Sequence, residues 1–250
     1  MIYLSGDLHG EIDIERFSTK KWVVGKSLTK DDYLVIAGDF GLVYGSDAKK
    51  RREEEYWLDW LEKKPWTTLF IDGNHENFPM LRSYPEEERF GGPVGVLRPS
   101  VMHLKRRGHI YNIGGHDFWC FGGATSYDKK DRIMGKSWWK EEEPTFDEIE
   151  YGLERLEKKN YSVGFILTHD CPGQVLPLLP AEKNIDNEDK LEQPTLTQKY
   201  FNEVAKLLKS CRKWYFGHYH MDKHLPAVSV DGGARIDYQA MYLDKYELLR

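Results

Sequence analysis

The chain has 250 residues, 40% hydrophobic and 31% charged, a soluble globular balance that excludes wholesale disorder and collagen-like or coiled-coil chains. Thirty-six Lys and Arg against 41 Asp and Glu leave a net charge of −5, so no global basic field draws nucleic acid or an anionic membrane. Three cysteines, Cys120, Cys171 and Cys211, form no CxxC and argue for a reducing compartment rather than a disulfide framework. The first ten residues carry no signal-peptide pattern, and no apolar run approaches a bilayer span. A cytoplasmic location is therefore expected.

In chain order, short apolar runs predict strands over 1–4, 33–37, 67–71, 163–167 and 213–216, each ending in a Gly-rich or polar turn. Helical patterns lie between them. The first covers 49–64, with Tyr56, Trp57, Trp60 and Leu61 on one stripe. The second covers 145–159, with Phe146, Ile149, Leu153 and Leu156 in phase and Thr145 and Glu148 as a helix start. The third covers 195–209, with Tyr200, Phe201, Val204, Leu207 and Leu208. Alternating strands and helices imply an α/β fold. Residues 94–127 read as an antiparallel meander and 226–248 as consecutive strands, so mixed sheets are expected. Residues 172–194 read as a long surface loop and a candidate rim. No repeat or linker divides the chain, which predicts one domain over 1–250.

Metal-ligand residue types sit where the predicted strands end: Asp7 and His9 in Gly-Asp-Leu-His-Gly, Gly38-Asp39, Gly73-Asn74-His75-Glu76, Thr168-His169-Asp170, and Gly217-His218-Tyr219-His220. Ligand sites of α/β sheets gather at the carboxyl ends of strands, so these turns can converge although the chain separates them widely. Taken singly, a Gly-Asp pair is most often a turn and a strand-end His a satisfied polar group. Their joint occurrence, in order and each behind a strand, is what carries weight.

The series DxH, GD, GNHE, H, GHxH resembles the calcineurin-like metallophosphoesterases, and the resemblance spans residues 7–220. Residues 122–128 and 137–143 look like a bacterial and prophage subgroup. The resemblance implies a four-layer αββα sandwich of two mixed sheets flanked by helices. It also implies two divalent ions, manganese first, with iron, nickel or zinc as alternatives. Asp7, His9 and His220 would hold one ion; Asn74, His169 and His218 the other; Asp39 would bridge both. Ligands of O and N without thiolate suit these metals. A hydroxide held between the ions would attack the phosphorus. His75 would assist the leaving oxygen, kept as imidazolium by a nearby carboxylate.

Two arginines common in the protein phosphatases of the superfamily are missing: the turn reads Gly38-Asp-Phe-Gly-Leu-Val-Tyr44, and Asp72 precedes Gly73. This favours a small phosphodiester substrate, with a phosphomonoester as the nearest rival. Phosphate would then meet the metals or an arginine from elsewhere, among Arg98, Arg106, Arg107, Arg132 and Arg235. A nuclease is disfavoured by the net charge. A decayed, non-catalytic scaffold is disfavoured by the intact ligand set. His103, His109, His116 and His224 are expected to bond locally, and Cys171 to be a buried thiol. Trp66, Trp138 and Trp139 are expected in packing, and Asp170 either behind the ligands or in a plain turn.

Overall fold

The computed structural model describes residues 1–45, 47–180 and 193–247. The chain builds one sheet and then a second. The first contains β1 (Ile2–Ser5), β2 (Tyr33–Ala37), β3 (Thr67–Ile71), β4 (Glu86–Arg89), β5 (Gly92–Arg98) and β6 (Val101–His103). The second contains β7 (His109–Ile113), β8 (His116–Phe121), β9 (Ser162–Thr168), β10 (Ser210–Phe216), β11 (Lys223–Val228) and β12 (Ile236–Ala240). Finally β13 (Tyr246–Glu247) returns to the first sheet. The orders are β13-β1-β2-β3-β6-β5-β4 and β11-β12-β10-β9-β8-β7.

The central strands are parallel, with Leu4 beside Val35, Val35 beside Leu69, and Leu167 between Cys120 and Tyr215. The outer pairs β4·β5, β7·β8 and β11·β12 are antiparallel, so both sheets are mixed. Side chains alternate across each strand. Ile2, Leu4, Val35, Ala37, Leu69 and Ile71 share one core with Ile113, Phe118, Cys120, Phe165 and Leu167 of the second sheet. The alternate set, Tyr3, Leu34, Ile36 and Phe70, packs on Leu58 and Leu61 of α1 (Ala48–Glu62). Trp119, Phe121, Ile166 and Trp214 pack on Leu156 of α3 (Phe146–Lys158) and on Phe201 and Val204 of α4 (Leu196–Leu207). A five-residue helix, α2 (Phe78–Arg82), follows the turn after β3. The layers are therefore helix, sheet, sheet, helix. Strands buried on both faces explain the near-continuous apolar runs.

Some expectations need correction. Residues 94–127 are not one meander: β5 and β6 pair in the first sheet, the chain crosses at 104–108, and β7 and β8 pair in the second. Strand β4 is an exposed all-charged edge with no apolar signature, a form that discourages edge-to-edge association. On α1 the buried residues are Glu54, Leu58 and Leu61, and Tyr56 is exposed. Phe146 lies 80% exposed at the start of α3, and Leu207 is also exposed. The capping boxes of Thr145 with Glu148 and Thr195 with Gln198 both form. Residues 181–192 of the expected 172–194 loop lie outside the described residues. Among the described residues no helix is long and apolar enough to cross a membrane, and the three cysteines are free thiols.

Candidate metal centre

The five turns meet at the carboxyl ends of β1, β2, β3, β9 and β10. Backbone bonds knit them together. The Leu8 and His9 N–H groups donate to Asp39 O at 3.0 and 2.8 Å, and Gly217 N–H donates to His169 O at 3.0 Å. The His75 N–H donates to Asp39 Oδ1 at 2.9 Å, and the His218 N–H to Asp7 Oδ1 at 2.9 Å. Arg16 braces the first turn, donating to Gly6 O at 2.6 Å and Asp7 O at 3.0 Å.

The glycines of the motifs have a steric reason. Gly38 has φ +90°, and a Cβ there would lie 2.1 Å from His169 Nδ1. At Gly217 a Cβ would lie 2.4 Å from Asp7 Oδ1. Four candidate ligands also hold left-handed backbone: His9 (φ 49°), Asp39 (45°), His218 (69°) and His220 (46°). Such conformations cost energy in non-glycine residues and cluster at functional sites.

The side chains converge, with Asp7 grouped beside Asp39 and His169 rather than with His9 and His220. Asp7, Asp39, Asn74 and His169 are buried to 3% exposure or less. His169 donates from Nδ1 to Ala37 O at 2.7 Å, which aims Nε2 at Asn74 Oδ1 (3.0 Å) and Asp39 Oδ1 (3.3 Å). His9 Nε2 lies 3.5 Å from Asp39 Oδ2, and His220 Nε2 lies 3.8 Å from Asp7 Oδ2. The His9 and His220 rings meet edge to face at 4.7 Å, and those of His169 and His218 at 5.0 Å. Two groups have the closeness a cation needs, His9–Asp39–His220 and Asp7–Asp39–His169, and they share Asp39.

Two buried donor atoms, Asp7 Oδ2 and His218 Nε2, have no hydrogen-bond partner. Leaving such atoms unsatisfied costs about 1–3 kcal/mol each, so the cradle fits a cation. Burial pushes Asp7 up to about 6, helped by Asp39 and opposed by His169. Burial works against charge on His169, yet the Asp39 and Asp7 carboxylates lift it to about 10. Burial opposes charge on Asp39 as well, but His169 and His75 hold it well below the usual carboxylate range.

His75 stands beside this cluster, its ring 5.9 Å from that of His9. The carboxylate facing it is Asp39, which favours the imidazolium, but burial and the nearby Arg132 outweigh it and lower the pKa of His75. The imidazolium expected from sequence is therefore disfavoured. Burial is the main cause of that lowering, and the Arg132 guanidinium against the ring, which the motifs do not reveal, adds to it.

Other neighbours were also missed. Asn74 Nδ2 donates to Ser126 Oγ at 3.0 Å, and Ser126 donates to Glu142 Oε2 at 2.6 Å, which fixes the outward aim of Asn74 Oδ1. Tyr127 stacks on His218 with ring centres 5.3 Å apart. Glu76 Oε1 accepts the Phe40 N–H at 2.7 Å and ties the third turn to the second. Asp170, expected either behind the ligands or in a plain turn, accepts from Tyr219 and from the Cys171 N–H and lies behind the His-x-His turn. Residues 122–143 carry several of these groups, and only their subgroup-like look signalled them.

The residues set aside behave locally. His103 pairs with Asp72 at 3.2 Å, His109 with Tyr151 at 2.7 Å and His224 with Asp237 at 3.3 Å. His116 packs its ring edge on Phe165. Burial pushes the Cys171 thiol well above its ordinary range, so it is no nucleophile. Trp66 and Trp139 are buried in packing.

No curated protein matches the chain. The family model for calcineurin-like phosphoesterases matches residues 1–222, a span holding every motif and every one of the converging turns. The chain thus belongs to the calcineurin-like phosphoesterases, a family of metal-dependent hydrolases of phosphate esters.

Proposed function

We propose that the protein hydrolyses a small phosphodiester at a two-cation centre. Asp7, His9 and His220 hold one ion; Asn74, His169 and His218 hold the other; Asp39 is common to both. The observation that carries this reading is Asp39 itself, one carboxylate belonging to two metal-capable groups, with Oδ1 and Oδ2 facing different imidazoles. The unpartnered Asp7 Oδ2 and His218 Nε2 support it. Manganese is our assignment, with iron, nickel and zinc meeting the same donor preference.

When bound, the ions supply the Lewis acidity that activates a water and draws in phosphoryl oxygens. The protein's part is positional. Ala37 O fixes the His169 ring so that Nε2 faces inward. A cation there would compete with the proton for that nitrogen. Ser126 fixes the Asn74 carbonyl. The bond from the His75 N–H to Asp39 sets the imidazole beside the cluster, where it meets the leaving oxygen. The diester preference rests on the missing arginines near Gly38 and at Asp72.

The test pairs bis-p-nitrophenyl phosphate with p-nitrophenyl phosphate on manganese-loaded protein, with and without chelator. Turnover of the diester that chelator abolishes supports the reading. Monoester preference overturns the substrate class. Absent metal and absent turnover overturn the enzyme, leaving a scaffold.

A further inference from the structure

Of the five arginines considered for phosphate, four are otherwise engaged or remote. Arg98 is held by Glu55 and Asp59 on α1 at 2.5 and 2.7 Å. Arg106 lies over the Tyr151 ring. Arg107 is buried on Asp72 and on Glu141 O. Arg235 is exposed on the turn before β12.

Arg132 differs. Its side chain is only 10% exposed, and its Nε forms an ion pair with Asp128 Oδ1 at 2.8 Å. Nη2 lies 3.1 Å from His75 Nε2 and 3.5 Å from Nδ1. One in-plane hydrogen bond cannot bring a donor that close to both ring nitrogens, so Nη2 rests on the imidazole face. The other oxygen it meets is Ser137 O, at 3.5 Å from Nη1. A guanidinium has five N–H donors, and two protein oxygens leave most of them without an acceptor. Asp128 balances the charge but leaves those N–H groups open to a ligand. The same Ser137 O accepts from the Tyr44 hydroxyl at 3.1 Å, and Tyr44 packs on Trp139. The loop is thereby pinned to the β2–α1 segment, with the guanidinium held in place before any ligand arrives.

We infer that Arg132 is a phosphate clamp, its free N–H groups binding non-bridging oxygens of the ester against His75. This rests on the proposed hydrolysis, and the two non-bridging oxygens of a diester are what the guanidinium would meet. Arginine suits the task because its planar fork matches two phosphate oxygens, which a lysine cannot reproduce. The clamp makes only hydrogen bonds, and no bond to phosphorus passes through it.

The test compares wild type, Arg132→Lys and Arg132→Gln, all loaded with manganese. Metal content, inorganic phosphate affinity by calorimetry, and kcat/KM on both nitrophenyl esters are measured. The clamp predicts equal metal content. In Arg132→Gln, phosphate affinity and kcat/KM both fall about 10- to 100-fold, the worth of a hydrogen bond to a charged group. Arg132→Lys falls between. Unchanged phosphate affinity in Arg132→Gln overturns the clamp, including the case where kcat alone drops, because the arginine would then only support His75. Wild-type protein that binds no phosphate also overturns it. Wild type that turns over neither ester defeats the hydrolase reading instead, and the clamp then stands or falls on phosphate affinity alone.

Discussion

Asp7, Asp39, Asn74 and His169 sit on strand ends with almost no exposure, locked by backbone bonds between neighbouring turns. Facing them, the loop over 122–143 offers Tyr127, Arg132 and Glu142 from segments held by scattered side-chain contacts, with Ile133 and Met134 exposed at its tip. The back wall is built from the carboxyl ends of inner strands of both sheets, where each candidate ligand's position follows from a strand register. The front wall is a loop, whose shape depends on what it touches. On the proposed reading one wall fixes the chemistry and the other would select what that chemistry acts on, as loops carried on rigid scaffolds commonly do.

Removing the shared carboxylate is the severest way to break the back wall. Asp39→Ala is expected to lose metal from both positions and to lower turnover beyond the about 10²- to 10⁴-fold typical of a missing general acid. Metal analysis beside kcat/KM on bis-p-nitrophenyl phosphate checks this, and full metal occupancy in the variant would refute the bridging role. His75→Ala is expected to keep its metal and lose about 10²- to 10⁴-fold in kcat. Equal metal loss in the two variants would erase the distinction between ligand and acid.

The difference between the walls also explains what was legible in the sequence. Each back-wall residue is announced locally, by an apolar run and a donor within a few positions, with a glycine beside all but His169. Gly38 precedes Asp39 because a side chain there would strike His169, so a steric demand of the folded site is written as a motif. The front wall has no such code. Arg132 meets His75 across 57 positions, and Ser126 meets Asn74 across 52. No periodicity connects such pairs. Misreadings in the fold share this cause. The strand pieces of 94–127 were recognisable, but alternation does not say which sheet a strand joins, so the crossing at 104–108 was invisible. Phe146 has the right phase for the α3 stripe yet sits at the helix start, beyond the packing surface.

The junction between the walls is the chain Asn74–Ser126–Glu142, and it sharpens the comparison. Ser126→Ala removes the acceptor that orients the Asn74 amide. Metal affinity is expected to fall about 10- to 100-fold, the usual consequence of losing a group that holds a metal ligand. Titration of manganese into stripped protein measures it. An unchanged affinity would mean that the turn after β3 aims Asn74 without help from the front wall.

Glu142→Gln is the mildest change, because glutamine can still accept from Ser126, and its signature is in stability rather than turnover. Burial pushes the Glu142 carboxyl up to about 7, against the opposing bond from Ser126. Its ordinary value in an unfolded chain is about 4.3. Folding therefore favours the protonated acid. The stability linked to that proton is complete below the unfolded value and is lost as pH rises through about 7. Glutamine does not titrate, so its variant should gain on wild type between pH 5 and pH 8. Urea midpoints for both proteins at the two pH values decide the matter. A difference that stays constant across this range would show that folding does not shift the Glu142 carboxyl.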